Sequence, residues 1–141
     1  MSQTPGPKRG NDVCWATERG FDSEARTPSA ARQFVGNSLL QLLPPLAETE
    51  AIADAELVVS ELVTNAVRAG AATVRVAVEL HHGHLELVVA DDGPGWPTLV
   101  RPTAQDAHGR GLVLVDAVAQ QWQAEPIETG GKTVRVTLVV P

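Results

Sequence analysis

The apolar positions of this chain follow two rhythms, one helical and one alternating. Ala31, Phe34, Val35, Ser38 and Leu42 recur at helical spacing, and Ala55, Val58, Val59, Leu62, Val63, Ala66 and Val67 make a broader stripe of the same period. Thr27-Pro28-Ser29 offers the first helix a capping hydroxyl and a first-turn proline, and Pro44-Pro45 ends it. The second helix is expected from about Ala51 to Ala69. Past Gly70 the period becomes two: Val74, Val76, Val78 and Leu80 face one way, and Thr73, Arg75 and Glu79 the other. His81-His82-Gly83-His84 then turns the chain, and Leu85, Leu87 and Val89 continue the alternation into Asp91, which predicts an antiparallel hairpin.

Other segments are less patterned. Trp15 is the one firm anchor of a short edge strand over Val13 to Arg19. Gly93, Pro94, Gly95, Pro97 and Pro102 mark a long loop between Asp92 and His108, of the kind that usually serves function. A third helix is expected near Gly109, with Leu112, Val115 and Ala119 as its stripe. Gly130-Gly131 introduces a last strand in which Val134, Val136, Leu138 and Val140 alternate with Thr133, Arg135 and Thr137. One-sided strands and amphipathic helices hide their apolar faces most simply in two layers, so the expected fold is an α+β sandwich with helices on one face of a mostly antiparallel sheet.

A length of 141 residues suits a single domain, here residues 13–141, preceded by a Pro- and Gly-bearing segment, residues 1–12, that reads as a disordered tail. Seventeen acidic against eleven basic residues give a net charge of -6, which argues against a nucleic-acid partner. The lone cysteine, Cys14, fits a reducing, cytoplasmic setting and reads as a small buried or half-buried side chain. No apolar run suggests a signal peptide or a membrane span.

Three motifs carry candidate chemistry. Glu61 and Asn65, one helical turn apart, project from one flank of the second helix together with Asp54 and Arg68. An amide oxygen such as that of Asn65 suits magnesium, a hard cation often shared with substrate phosphates, and a carboxylate such as Glu61 can accept a proton from a hydroxyl or water. In Asp91-Asp92-Gly93-Pro94-Gly95 a carboxylate stands where a strand ends, and two glycines leave room for a flat ligand. Asp91 can accept a hydrogen bond from an exocyclic amine, the group that separates adenine from guanine. Gly109-Arg110-Gly111-Leu112 opens a helix whose unpaired amide hydrogens attract anions, without the Gly-Lys-Ser/Thr ending of a P-loop.

In this order the motifs resemble the ATP-binding domain shared by gyrase, the heat-shock 90 chaperones, the histidine kinases and the MutL mismatch-repair proteins, known as the GHKL superfamily, over roughly residues 27–140. Glu61 and Asn65 match its N box, Asp91 with Gly93 and Gly95 its Asp-x-Gly-x-Gly box, and Gly109 with Gly111 the glycine box. The runs Glu56 to Arg68 and Gly109 to Asp116 are similar to stand-alone bacterial anti-sigma-factor serine/threonine kinases. The resemblance implies a Bergerat-type sandwich in which Asn65 binds magnesium, Asp91 reads adenine, Glu61 is the general base and Gly93 to Gly109 form an ATP lid. It also implies that Thr133 supports Asp91 from a late strand and that the chain forms a homodimer; Arg68 on the Glu61–Asn65 flank, His108 beside the glycine box, and Arg110 and Leu112 at the helix entrance are counted with the nucleotide site by their positions. The implied partners are a sigma factor or its antagonist.

Two positions depart from that pattern. Ala69 stands where many such kinases carry a histidine, and Trp96 replaces a small aliphatic residue. Three function classes therefore stay open: a kinase, a nucleotide-gated binding module without transferase activity, and an interaction protein without nucleotide. Outside the motifs, His81, His82 and His84 read as exposed turn residues, since neither a cysteine nor a carboxylate completes a metal-ligand set. Trp15 and Trp122 read as packing groups.

Overall fold

The structure is a computed structural model that describes residues 13–94 and 121–139. In chain order these form β1 (Val13–Asp22), α1 (Thr27–Leu42), a 3-10 turn (Pro44–Glu48), α2 (Ala51–Arg68), β2 (Thr73–His81), β3 (His84–Asp91), β4 (Gln121–Pro126) and β5 (Lys132–Val139). The five strands make one antiparallel sheet in the order β1-β2-β3-β5-β4. This is the α+β sandwich that the two rhythms require. The expected third helix, the expected lid and residues 1–12 lie outside the described residues.

The alternating positions decide which face of the sheet is buried. Val74, Val76 and Val78 on β2, Leu85, Leu87 and Val89 on β3, and Val134, Val136 and Leu138 on β5 meet Ala31, Val35 and Leu39 of α1 and Ala55, Val58, Val59, Leu62, Val63 and Ala66 of α2 in one core. The registers hold the rows together: Val89 faces both Val76 and Val134, and Leu87 faces both Val78 and Val136. Burial of such side chains contributes roughly 1.5–3 kcal/mol each. Phe21 of β1 meets Phe34 of α1 edge to face, with ring centroids 6.3 Å apart. Trp15 and Trp122 are half-buried against this core.

Three details differ from the sequence reading. Thr27 does not cap α1; its hydroxyl donates to the Asp22 carbonyl at 2.6 Å and accepts the Glu24 amide at 2.9 Å, pinning the β1–α1 loop. Cys14 is exposed, because the register between β1 and β2 slips between Val13 and Trp15 on an edge strand and leaves it unpaired there. β4 was not anticipated. Only Trp122 and Ala124 of its six residues are half-buried apolar groups, too few to set an alternation.

Candidate functional site

The candidate site gathers where the sheet rows run out of apolar residues. On β3 the inward row Leu85, Leu87, Val89 ends in Asp91, and on β5 the row Leu138, Val136, Val134 ends in Lys132. Asp91 and Lys132 are cross-strand partners, so two opposite charges form the last rung of an otherwise apolar ladder. Lys132 Nζ lies 2.9 Å from Asp91 Oδ2 and 3.1 Å from Oδ1, with side chains only 4% and 2% exposed. The Gly93 amide donates to Asp91 Oδ1 at 2.7 Å, closing the turn past the strand. A carboxylate has about four lone-pair sites, so acceptor capacity for a further donor remains.

Thr133 is not the side chain beside Asp91. It pairs with Ala90, and the strand alternation turns it to the face opposite the helices, while Lys132 takes the inward place. The sequence contained the signal, since counting back by two from Val136 and Val134 reaches Lys132. The expected role for Thr133 came from matching a motif rather than from the sheet's period.

Two glycines fix this end of the sheet. A Cβ on Gly93 would stand 2.9 Å from the Ala71 amide nitrogen and 3.0 Å from its Cα, so the chain past β3 presses against the α2–β2 connection. Gly131, at φ 95°, has Asp91 and Asp92 backbone where a side chain would go, with Asp92 Cα at 2.7 Å. Asp92 completes the clamp, an arrangement the sequence reading missed. Its carboxylate accepts the Ala72 amide at 2.7 Å, the Thr73 amide at 3.1 Å and the Thr73 hydroxyl at 3.1 Å. The Thr73 and Ala72 amide bonds hold the Asp92 carboxyl below the usual carboxylate range.

The same connection ties α2 to the site. Asn65 lies in the last turns of α2, its carbonyl accepting the Ala69 amide at 2.9 Å, and Gly70 leaves the helix at φ 91° to reach Ala71. Glu61 and Asn65 are both half-buried, one turn apart on the side away from Leu62, Val63 and Ala66. Arg68 is exposed in the final turn. The structure therefore joins the Glu61–Asn65 helix to the Asp91–Gly93 turn through Ala71. A cavity of about 500 Å³ opens beside Asp91 and Asp92, but neither Glu61 nor Asn65 lines it. Its Gly20, Arg75 and Ala90 belong to the sheet face opposite the helices, so it is a neighbouring depression rather than the space between Asp91 and α2. Gly95, Trp96, His108, Gly109, Arg110, Gly111 and Leu112 lie outside the described residues.

The family described as the histidine kinase-like ATPase domain matches residues 21–138. No curated protein matches the chain. Among solved structures the chain is similar to the histidine kinase domain from the Erythrobacter litoralis EL346 blue-light activated histidine kinase, at 25% identity and a TM-score of 0.46. That match covers 64% of this chain and 45% of the other, so this chain spans less than half of that relative's length. No helix among the described residues is long and apolar enough to cross a membrane.

Proposed function

Because this chain belongs to the histidine kinase-like ATPase domain family, we propose that it binds ATP with magnesium and acts as an anti-sigma factor that phosphorylates a serine or threonine of an antagonist protein. The observation that carries this reading is the joining, through Ala71 and Gly93, of a helix bearing Glu61 and Asn65 to a strand end bearing buried Asp91. Asn65 offers a half-buried hard oxygen donor of the kind that suits magnesium shared with phosphates, with the Glu61 carboxylate one turn away. Bound magnesium supplies neutralisation of phosphate charge.

In this reading Asp91 accepts the exocyclic amine of adenine on its remaining lone pairs, and Asn65 contributes its amide oxygen to the metal. Glu61 accepts the proton of the attacking hydroxyl as the terminal phosphoryl group passes to that oxygen and ADP leaves. Gly109, Arg110 and Gly111 are proposed to meet the phosphates. The proposed partners are a sigma factor and its antagonist, with the chain acting as a homodimer in the cytoplasm.

The test is phosphate transfer from ATP to a cognate antagonist by purified protein, with nucleotide affinity measured by calorimetry. Glu61→Ala is expected to abolish transfer while affinity stays within a few fold; a parent protein that binds the antagonist and ATP yet transfers nothing removes the kinase assignment. Ala69, at the C-terminal end of α2, favours the second reading, a nucleotide-gated binding module. In that case partner affinity changes with ATP in both the parent and Glu61→Ala.

A further inference from the structure

The face of the sheet opposite the helices carries a second cluster, at the far end of β3 from Asp91. Its four members occupy two adjacent rungs of the β2–β3 hairpin: His81 pairs with His84, and Glu79 pairs with Glu86. The pleat sends all four side chains to the same face. One nitrogen of His81, one of His84 and one carboxylate oxygen of Glu86 all lie within 4.8 Å of one another. The two imidazoles are parallel within 5°, with centroids 4.9 Å apart.

Two observations ask for a cation here. Glu79 and Glu86 face each other directly, an unfavourable like-charge pairing. Arg135 Nη1 relieves Glu86 at 3.0 Å, and His81 Nε2 reaches Glu79 Oε1 at 3.2 Å and Glu86 Oε1 at 3.9 Å. His81 is 6% exposed, and its Nδ1 is the single buried side-chain polar atom among the described residues without a hydrogen-bond partner. Metal-ligating histidines commonly have one ring nitrogen held by a carboxylate and the other turned to the ion, and His81 has its Nε2 on Glu79 and its Nδ1 without a partner. An orphaned buried polar nitrogen is costly unless something binds it.

We propose that His81, His84 and Glu86 hold a divalent transition-metal ion of the zinc class at the β2–β3 hairpin, with Glu79 orienting His81 or entering as a fourth ligand. Zinc bonds of roughly 2.0–2.1 Å place tetrahedral ligand atoms about 3.4 Å apart, so small rotations of the three side chains close the observed spacing around an ion. Imidazole nitrogens with carboxylate oxygen suit zinc, whereas magnesium and calcium prefer oxygen alone. From sequence the histidines read as exposed turn residues; Glu79 and Glu86 stand two residues from His81 and His84, and the pleat together with the hairpin pairing brings all four to one face. His82, exposed on the turn, is not part of the cluster. The site is separate from the nucleotide site and does not depend on that reading.

The experiment uses tag-free, chelator-treated protein without nucleotide, titrated with zinc chloride and, separately, magnesium chloride by calorimetry, with thermal unfolding followed in parallel. One zinc per chain is expected, with a raised melting temperature and no response to magnesium. His84→Ala and Glu86→Gln, each checked for parent-like circular dichroism, are expected to weaken zinc binding at least about tenfold. His82→Ala is expected to bind as the parent does. Absence of zinc binding, equal binding of magnesium, or zinc affinity that survives His84→Ala and Glu86→Gln but fails in His82→Ala overturns the proposal.

Discussion

Lys132 Nζ stands 2.9 Å from Asp91 Oδ2, and both side chains are almost wholly withdrawn from water. Each charge there has lost most of its hydration and depends on the other. The carboxylate proposed to read a base is thus held before any ligand arrives, by the Lys132 ammonium and the Gly93 amide.

Lys132→Met is expected to destabilise the fold by about 3–5 kcal/mol in urea unfolding, because it strands the Asp91 carboxylate in a buried setting. Asp91→Asn combined with Lys132→Met is expected to cost less than Lys132→Met alone, since no unpaired charge then remains. A single variant within about 0.5 kcal/mol of the parent would show that the pair opens readily to water.

Gly131 and Gly130 both adopt positive φ, at 95° and 112°, yet they differ in what surrounds them. A Cβ on Gly130 meets nothing within 4 Å, whereas one on Gly131 runs into the Asp91 carbonyl and the Asp92 Cα. Gly130→Ala should cost about 1–2 kcal/mol for the left-handed backbone alone. Gly131→Ala should cost clearly more, because backbone cannot swing aside as a side-chain tip does. Equal melting temperatures for the two variants would show that the Asp91 turn moves freely.

The sheet was legible where period and register speak for themselves. Val74, Val76 and Val78 against Leu85, Leu87 and Val89 are regular enough to predict both strands, their pairing and the inward face. Glu61 and Asn65 were legible as a helix pair because a four-residue spacing has one structural meaning. What sequence order hides is the pairing of distant strands. Lys132 beside Asp91 arises from register, and the pleat puts Lys132 where the motif resemblance implies Thr133, whereas Glu86 beside His84 follows from local alternation. β4 stayed hidden because its burial alternates weakly along Gln121 to Pro126.

Leu39 was absent from the first helical stripe as read from sequence, yet it is fully buried and belongs to the central cluster. Leu39→Ala is expected to cost about 2–5 kcal/mol, a transfer loss plus a cavity between α1 and its neighbours. Exposed Leu40, one residue on, provides the control: Leu40→Ala should stay within about 0.5 kcal/mol by the same denaturation measurement.

Asp92 gives the fold a pH dependence whose sign is fixed. Its carboxylate accepts two backbone amides and the Thr73 hydroxyl, and those amide bonds lower its folded-state pKa below the unfolded value of about 3.9. A depressed carboxylate stabilises the folded state above its unfolded pKa, and that contribution disappears as pH falls through the folded pKa. Asp92→Asn should therefore melt below the parent at neutral pH. The gap should narrow only as pH falls below the ordinary carboxylate range and through the depressed folded-state pKa, where the parent's own Asp92 takes up a proton. Melting curves for the two proteins collected from neutral to acid pH test this. A gap that stays constant across the range would mean that Asp92 acts through its shape alone, with no contribution from the charge at the α2–β2 connection.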